Sequence, residues 1–103
     1  IRLRMKKLKT MLDWEKAKVL SGYMVSLPIV RKDKWATHFD AVGEWEMSLS
    51  CSAADCVEAG LSMPKDVLEK ADLEIIPEDI LTSIQKLATE DFDYEEHIDF
   101  LDR

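Results

Sequence analysis

The feature that most constrains the fold of this chain is an alternation of apolar and polar residues between positions 35 and 51. Polar side chains occupy most of the even positions, and residues suited to a buried strand face occupy the odd ones: Trp35, Thr37, Phe39, Ala41, Trp45, Met47, Leu49 and Cys51. Because successive side chains of a strand point to opposite faces, the alternation predicts two half-buried strands, over about 35–41 and 44–51. Gly43 supplies a turn between them, so the strands are expected to pair antiparallel.

The residues before this predicted hairpin carry a basic helical pattern and then a short apolar segment. Apolar residues at near-helical spacing, with lysines between them, predict a helix within 6–21 that Gly22 ends. The following segment, 23–30, is rich in strand formers. Since Pro28 cannot donate a hydrogen bond to a strand ladder, this segment is predicted to add an edge strand or a strand broken at the proline.

The residues after the hairpin change to helical patterns. Ser52 is a suitable N-cap and Gly60 a suitable end for a short helix. Pro64 and Pro77 lie in the predicted first turns of two further helices, where the missing N–H costs nothing. The second of these has the clearest apolar stripe in the chain: Ile80, Leu81, Ile84, Leu87 and Ala88. Residues 90–103 are predicted to form one more short helix or an acidic tail.

These elements predict a single α+β domain over residues 1–103, with a small antiparallel sheet packed against N- and C-terminal helices. An all-α bundle is the alternative, and it would make the alternation accidental. The length suits one domain, and residues 1–4, which precede Met5, are a candidate leader or cloning remnant. With 47% hydrophobic and 34% charged residues, the chain is expected to be globular rather than disordered.

The expected compartment is the cytoplasm. No apolar run reaches the roughly 20 residues that a membrane-spanning helix needs, so no membrane association is predicted. No secretory leader is recognisable, and two cysteines do not make a disulfide framework, which favours a reducing environment.

The residue spacing predicts neither a calcium site nor a zinc site. The acids from Asp91 to Asp102 have the spacing of a calcium loop, but Glu96 stands where that loop needs glycine for its sharp turn. A zinc site would need an unusual cysteine spacing and scattered histidines: Cys51, Cys56, His38 and His97. The two thiols are instead expected to pack as small apolar groups in the core.

The net charge of −7 conceals a strong asymmetry along the chain. Residues 1–34 carry ten of the fourteen basic side chains and have a net charge of +7, whereas residues 35–103 have a net charge of −14. Between Glu90 and Asp102 there are seven acids and no Lys or Arg. Because nonspecific nucleic-acid binding depends on neutralising phosphates, this acidity argues against it for the domain as a whole.

The acidic C-terminal segment interleaves carboxylates with aromatic side chains, a composition typical of docking on a basic protein surface. No catalytic motif, phosphate loop or cofactor motif is present, so the chain is predicted to be a non-enzymatic protein without a cofactor. Its predicted function is protein binding, of the inhibitor, antitoxin, immunity or adaptor type, with a basic partner. The predicted contact residues are Asp91, Phe92, Asp93, Tyr94, Glu95, Glu96, Asp99, Phe100 and Asp102.

Three alternatives stay open from the sequence. A catalytic site would have to form around His38 and the nearby serines and cysteines on folding or dimerisation. The apolar odd positions of the alternation could cover a homodimer interface as well as a core. Nucleic-acid binding would use the phosphate-contacting lysines of the basic N-terminal helix, Lys6, Lys7, Lys9, Lys16 and Lys18.

Overall fold

The computed structural model describes residues 11–103, which form an α-rich domain with one small sheet. The predicted basic helix corresponds to α1 from residue 13 onward, and residues 1–10 lie outside the described part. The α-helices are α1 (Asp13–Ser26), α2 (Pro28–Arg31), α3 (Lys34–Ala41), α4 (Trp45–Ala59), α5 (Asp66–Lys70) and α6 (Glu78–Leu87). The strands are β1 (Met63–Pro64) and β2 (Ala88–Glu90), and two 3-10 helices span Leu73–Ile75 and Ile98–Asp102.

The sheet differs from the predicted one in position and in direction. β1 pairs with β2 in parallel, with Met63 opposite Ala88 and Pro64 opposite Glu90. Parallel strands need a crossover connection, which α5 and α6 provide here. The N–H of Lys65 extends the pairing by donating to the carbonyl of Glu90 at 2.7 Å. The predicted antiparallel sheet is therefore wrong, and the observed sheet joins distant parts of the chain.

The predicted strands over 35–41 and 44–51 are helices α3 and α4 in the structure. Asp33 begins α3 by accepting two backbone N–H groups of its first turn, at 2.9 and 3.3 Å. Gly43 turns the chain between the two helices with a positive φ of 81°, which favours glycine. Trp35, on the predicted buried face, is 67% exposed, so the alternation does not describe the packing.

The alternation is misleading because two serines of α4 on its polar side, Ser48 and Ser50, are buried. Ser52 donates its hydroxyl to the carbonyl of Ser48 at 2.8 Å. Ser50 is within hydrogen-bond distance of the carbonyl of Glu46, at 3.0 Å. A serine that donates to its own helix can lie at a helix interface without leaving its hydroxyl unsatisfied, and its small size lets neighbouring helices approach. The apolar residues beside the serines have helical spacing: Leu49, Ala53 and Cys56.

The predicted edge strand over 23–30 is also helical. α1 continues through Gly22 to Ser26, and α2 begins at Pro28, where the missing N–H costs no hydrogen bond. Gly22 does not end the helix; it gives room to the C-terminal residues, because a Cβ there would lie 2.9 Å from the Phe100 ring. The glycine therefore permits a close contact between α1 and the end of the chain.

The later helices follow the predictions more closely. Gly60 ends α4 in the left-handed conformation, with a φ of 69°, as predicted. Ser52, the predicted N-cap, lies inside that same helix. α6 begins directly after Pro77, and Ile84 of its predicted stripe is fully buried. Ala88, at the end of the stripe, begins β2.

Two apolar clusters hold these elements together. The main core lies between α1, α4 and the crossover helices, and its largest fully buried members are Leu20, Met24, Leu49, Met63 and Ile84. A smaller cluster joins the start of α1 to the C-terminal 3-10 helix and contains Met11, Val19, Ile98 and Leu101. The C-terminal segment is therefore attached to the domain by a core of its own.

Candidate protein-binding site

The predicted contact residues of the C-terminal segment divide into two groups by exposure. The segment lies along α1 and ends in the 3-10 helix Ile98–Asp102. Its exposed predicted residues are Asp91, Asp93, Glu96, Asp99 and Asp102. Its partly buried predicted residues are Phe92, Tyr94, Glu95 and Phe100.

The aromatic residues of this segment pack onto the domain. The centroid of the Phe92 ring lies 5.1 Å from that of Tyr23 and 4.8 Å from that of Tyr94. The Tyr94 hydroxyl donates to a carboxylate oxygen of Asp66 at 2.8 Å. Burial, and then this carboxylate, raise the pKa of Tyr94, so its phenol stays protonated. The aromatic residues hold the segment in place and offer only part of their surface to a partner.

Arg103 fixes the end of the segment to the helical body. Its guanidinium pairs with Asp40 of α3, whose side chain is 8% exposed, and donates to the carbonyl of Lys18 at 2.9 Å. Asp40 also accepts the hydroxyl of Ser21 at 2.8 Å, and the Oγ atoms of Ser21 and Ser48 lie 2.9 Å apart. One buried carboxylate thus links α1, α3, α4 and the C-terminal segment.

A second acidic surface, which the sequence analysis did not identify, is a groove of about 990 Å³ between α1, α4 and the residues after α5. We name it the Trp groove after Trp14 and Trp45, whose rings stack with centroids 5.8 Å apart and planes inclined by 19°. Trp14 is 51% exposed, and Leu73 on the opposite wall is 37% exposed. Exposed aromatic and apolar side chains in a concave surface are typical of binding sites.

The Trp groove is strongly acidic. Lys70 is the one basic residue among its described lining residues. Two of the acids, Asp13 and Glu46, also lie in the first turns of α1 and α4, where a carboxylate stabilises the helix dipole. The lining carboxylates come from three separate stretches of the chain: Asp13, Glu44, Glu46, Glu69, Asp72 and Glu74. A concave site with this excess of negative charge attracts cations.

The two walls of the Trp groove are joined by hydrogen bonds. The backbone N–H of Asp72 donates to the carbonyl of Glu46 at 3.3 Å. The Ser50 hydroxyl lies between the same two residues, 3.0 Å from the Glu46 carbonyl and 2.9 Å from that of Asp72. The Asp72 carboxylate accepts the N–H of Glu74 at 3.1 Å. These bonds hold the residues after α5 against α4, so the groove is formed before a ligand arrives.

The residues of the nucleic-acid alternative lie partly in the described region. Lys16 Nζ lies 5.8 Å from the centroid of the Tyr94 ring, and Lys18 Nζ donates to the carbonyl of Arg103 at 3.2 Å. Both lysines therefore face the C-terminal segment. Lys6, Lys7 and Lys9 are outside the described residues.

The residues of the enzyme alternative have other contacts in the described region. The His38 ring lies 6.4 Å from the ring of Trp35 and 5.8 Å from that of Phe39. The buried serines of α4 have other hydrogen-bond partners. Cys56 is buried in the core, and burial raises the pKa of its thiol to about 11. Residues 11–103 contain no group of three or more His, Cys, Asp or Glu side chains that could hold a metal ion.

A smaller hollow of about 480 Å³ contains Asp33 and Asp55. Burial, and then the neighbouring Asp33 carboxyl, raise the pKa of Asp55 to about 7. Among the described residues, Asp55 Oδ2 is buried and has no hydrogen-bond partner. A charged Asp55 is therefore unfavourable in the folded state.

We expect Asp55→Asn to raise the free energy of unfolding at pH 8 by about 1 kcal/mol. The folded-state pKa is above the usual value near 4, so the favourable contribution of protonated Asp55 is complete below about pH 4 and is lost as the pH rises through 7. The gain is modest because the side chain is partly exposed to water. Urea unfolding of the variant and of the unaltered protein at pH 5 and pH 8 measures the effect. If the free energies of unfolding of the two proteins changed equally between these pH values, the prediction would be contradicted.

Comparisons with known proteins leave the chain without an assigned family. Neither the protein-family models, nor the curated proteins, nor the solved structures contained a match to it. Within residues 11–103 no helix is long and apolar enough to cross a membrane.

Proposed function

We propose that this domain is a non-enzymatic protein-binding module that holds a basic segment of another protein in the Trp groove. The observation that carries the proposal is the stacked Trp14–Trp45 pair, of which Trp14 is half-exposed, in a groove lined by six carboxylates and one lysine. Aromatic rings bind cationic side chains through their faces, and carboxylates bind them through charge-assisted hydrogen bonds. An inhibitor, antitoxin, immunity or adaptor role requires binding of this kind and no catalysis.

The acidic C-terminal surface is proposed as a second contact for the same partner. Asp93 and Glu96 are exposed, so their charges extend the negative field of the domain beyond the groove. Exposed charges accelerate the encounter with a basic partner more than they strengthen the complex. The affinity is expected to come from the groove, because it offers aromatic surface in a concave site.

We expect Trp14→Ala to weaken the binding of a short peptide rich in Lys and Arg about tenfold. The substitution removes half of the aromatic stack and leaves the lining carboxylates in place. Isothermal titration calorimetry with the purified full chain measures the affinity, and circular dichroism checks that the variant is folded. The matched control is Trp35→Ala, because Trp35 is also exposed but lies outside the groove.

Three further outcomes decide the proposal. The affinity of the unaltered protein for the basic peptide should fall as salt is added, and an acidic peptide of equal length should not bind. Equal losses for the two tryptophan variants would contradict the placement in the groove. Absence of binding to any basic peptide at low salt would contradict the proposed function itself.

A further inference from the structure

We infer that the cation held by the Trp groove is the guanidinium of an arginine side chain, in preference to the ammonium of a lysine. This inference rests on the proposed function and names the ligand class of the same site. It is supported by the geometry of the tryptophan stack together with the carboxylates that line the same groove.

The Trp14–Trp45 stack has no room for a cation between its rings. Atoms in contact lie about 3.5–4 Å apart, so a group sandwiched between two rings would need them about 7 Å apart. The centroids are 5.8 Å apart and the planes are nearly parallel. A bound cation must therefore lie on an outward-facing indole surface, and Trp14, at 51% exposed, has such surface available.

An open indole face favours a flat cation. A guanidinium is planar and weakly hydrated, so it can stack on a ring without giving up much hydration. An ammonium is a compact and strongly hydrated charge, and it gains less from a ring that covers it on one side only. The aromatic component of the site alone thus favours arginine.

The carboxylates add a second preference for arginine. Asp13, Glu44 and Glu46 line the same groove as both rings of the stack, so the groove that contains the indoles also contains acceptors for a cation. A guanidinium stacked on a ring keeps its five N–H donors in its own plane, directed outward toward bordering acceptors. It can therefore use the ring and a carboxylate at the same time. An ammonium is not planar, so it has no flat face for the ring and no separate edge of N–H donors for the carboxylate.

The test uses three short peptides that differ only in their cationic positions, which carry arginine, lysine or citrulline. Citrulline has the shape of arginine without its charge. Calorimetric titration of the full chain is expected to give about fivefold tighter binding of the arginine peptide than of the lysine peptide. The citrulline peptide is expected to bind at least about tenfold more weakly than the arginine peptide.

Trp14→Leu shows whether the preference comes from the stack. It is expected to reduce the preference for arginine over lysine to within about twofold, whereas Trp35→Leu is expected to leave it unchanged. Equal binding of arginine and lysine peptides by the unaltered protein would overturn this inference and leave the proposed function standing. Binding of none of the charged peptides would overturn both. The peptide comparison needs no variant, so it decides the inference even where Trp14→Leu does not fold.

Discussion

Truncation of Leu49 to alanine is expected to lower the free energy of unfolding by about 3 kcal/mol. Leu49 is fully buried on the inner face of α4, so the substitution removes apolar contacts and leaves a cavity in the main core. Trp35→Ala removes a larger side chain but is expected to change the free energy of unfolding by no more than about 0.5 kcal/mol. Trp35 is 67% exposed on the outer side of α3.

This pair of substitutions distinguishes the helices from the predicted strands. The alternation places Leu49 and Trp35 on the same buried face, where both truncations would be costly. In the helices, the Leu49 side chain is buried and the Trp35 side chain is exposed. Urea unfolding followed by circular dichroism gives both values in one set of experiments. Comparable losses of several kcal/mol for the two variants would contradict the helical arrangement of residues 35–51.

Replacement of Asp40 with alanine is expected to lower the free energy of unfolding by about 2 kcal/mol. The Asp40 carboxylate accepts hydrogen bonds from Arg103 and from Ser21, so its removal takes away the charged acceptor of the guanidinium and one acceptor of a buried hydroxyl. A fully buried ion pair would lose more, about 3–5 kcal/mol. The smaller value is expected because the Arg103 side chain is 33% exposed and water can solvate it.

A double-mutant cycle with Arg103→Ala isolates the interaction between the two side chains. We expect a coupling energy of about 1 kcal/mol, measured as the difference between the double variant and the sum of the single ones. Native-state hydrogen exchange of the 3-10 helix Ile98–Asp102 should become faster in both single variants, because the segment loses its link to α3. If the double variant lost as much free energy of unfolding as the two single variants together, a direct interaction between Asp40 and Arg103 would be contradicted.

The helices that were predicted correctly have end signals that act locally. A glycine in the left-handed conformation ends a helix whatever packs against it, and Gly60 does so here. Pro77 immediately before α6 and the apolar stripe of that helix are likewise properties of one short segment. Such signals depend little on tertiary contacts and can therefore be recognised in the sequence alone.

The strand prediction for residues 35–51 is wrong because residue type does not measure exposure in this segment. Ser48 and Ser50 are polar by type, but their hydroxyls lie within hydrogen-bond distance of the Ser21 hydroxyl and the Glu46 carbonyl, and they pack in the interior. Tryptophan is apolar by type, yet Trp35 is largely exposed. Because polar serines are buried and an apolar tryptophan is exposed, the residue types of these helices alternate as they would in a strand.

The two acidic surfaces differ in how far the sequence predicts them. The negative charge of the C-terminal segment is a property of consecutive residues, and its exposed acids were expected from composition. The Trp groove joins Trp14 to Trp45 and adds Asp72 from a third stretch. Its formation depends on how α1, α4 and the residues after α5 pack, which no local pattern contains. The sequence could at most have indicated that Trp14 lies next to an acid.

The position of a bound arginine peptide is measured most directly by chemical-shift mapping of the backbone amides and the three indole N–H groups. We expect the indole signals of Trp14 and Trp45 and the amide of Asp72 to shift most, with smaller shifts in residues 91–102 and none at the indole of Trp35. This result would place the peptide in the Trp groove with the C-terminal acids at its edge. Large shifts confined to residues 91–102 or to Trp35, with Trp14 and Trp45 unchanged, would contradict binding in the groove.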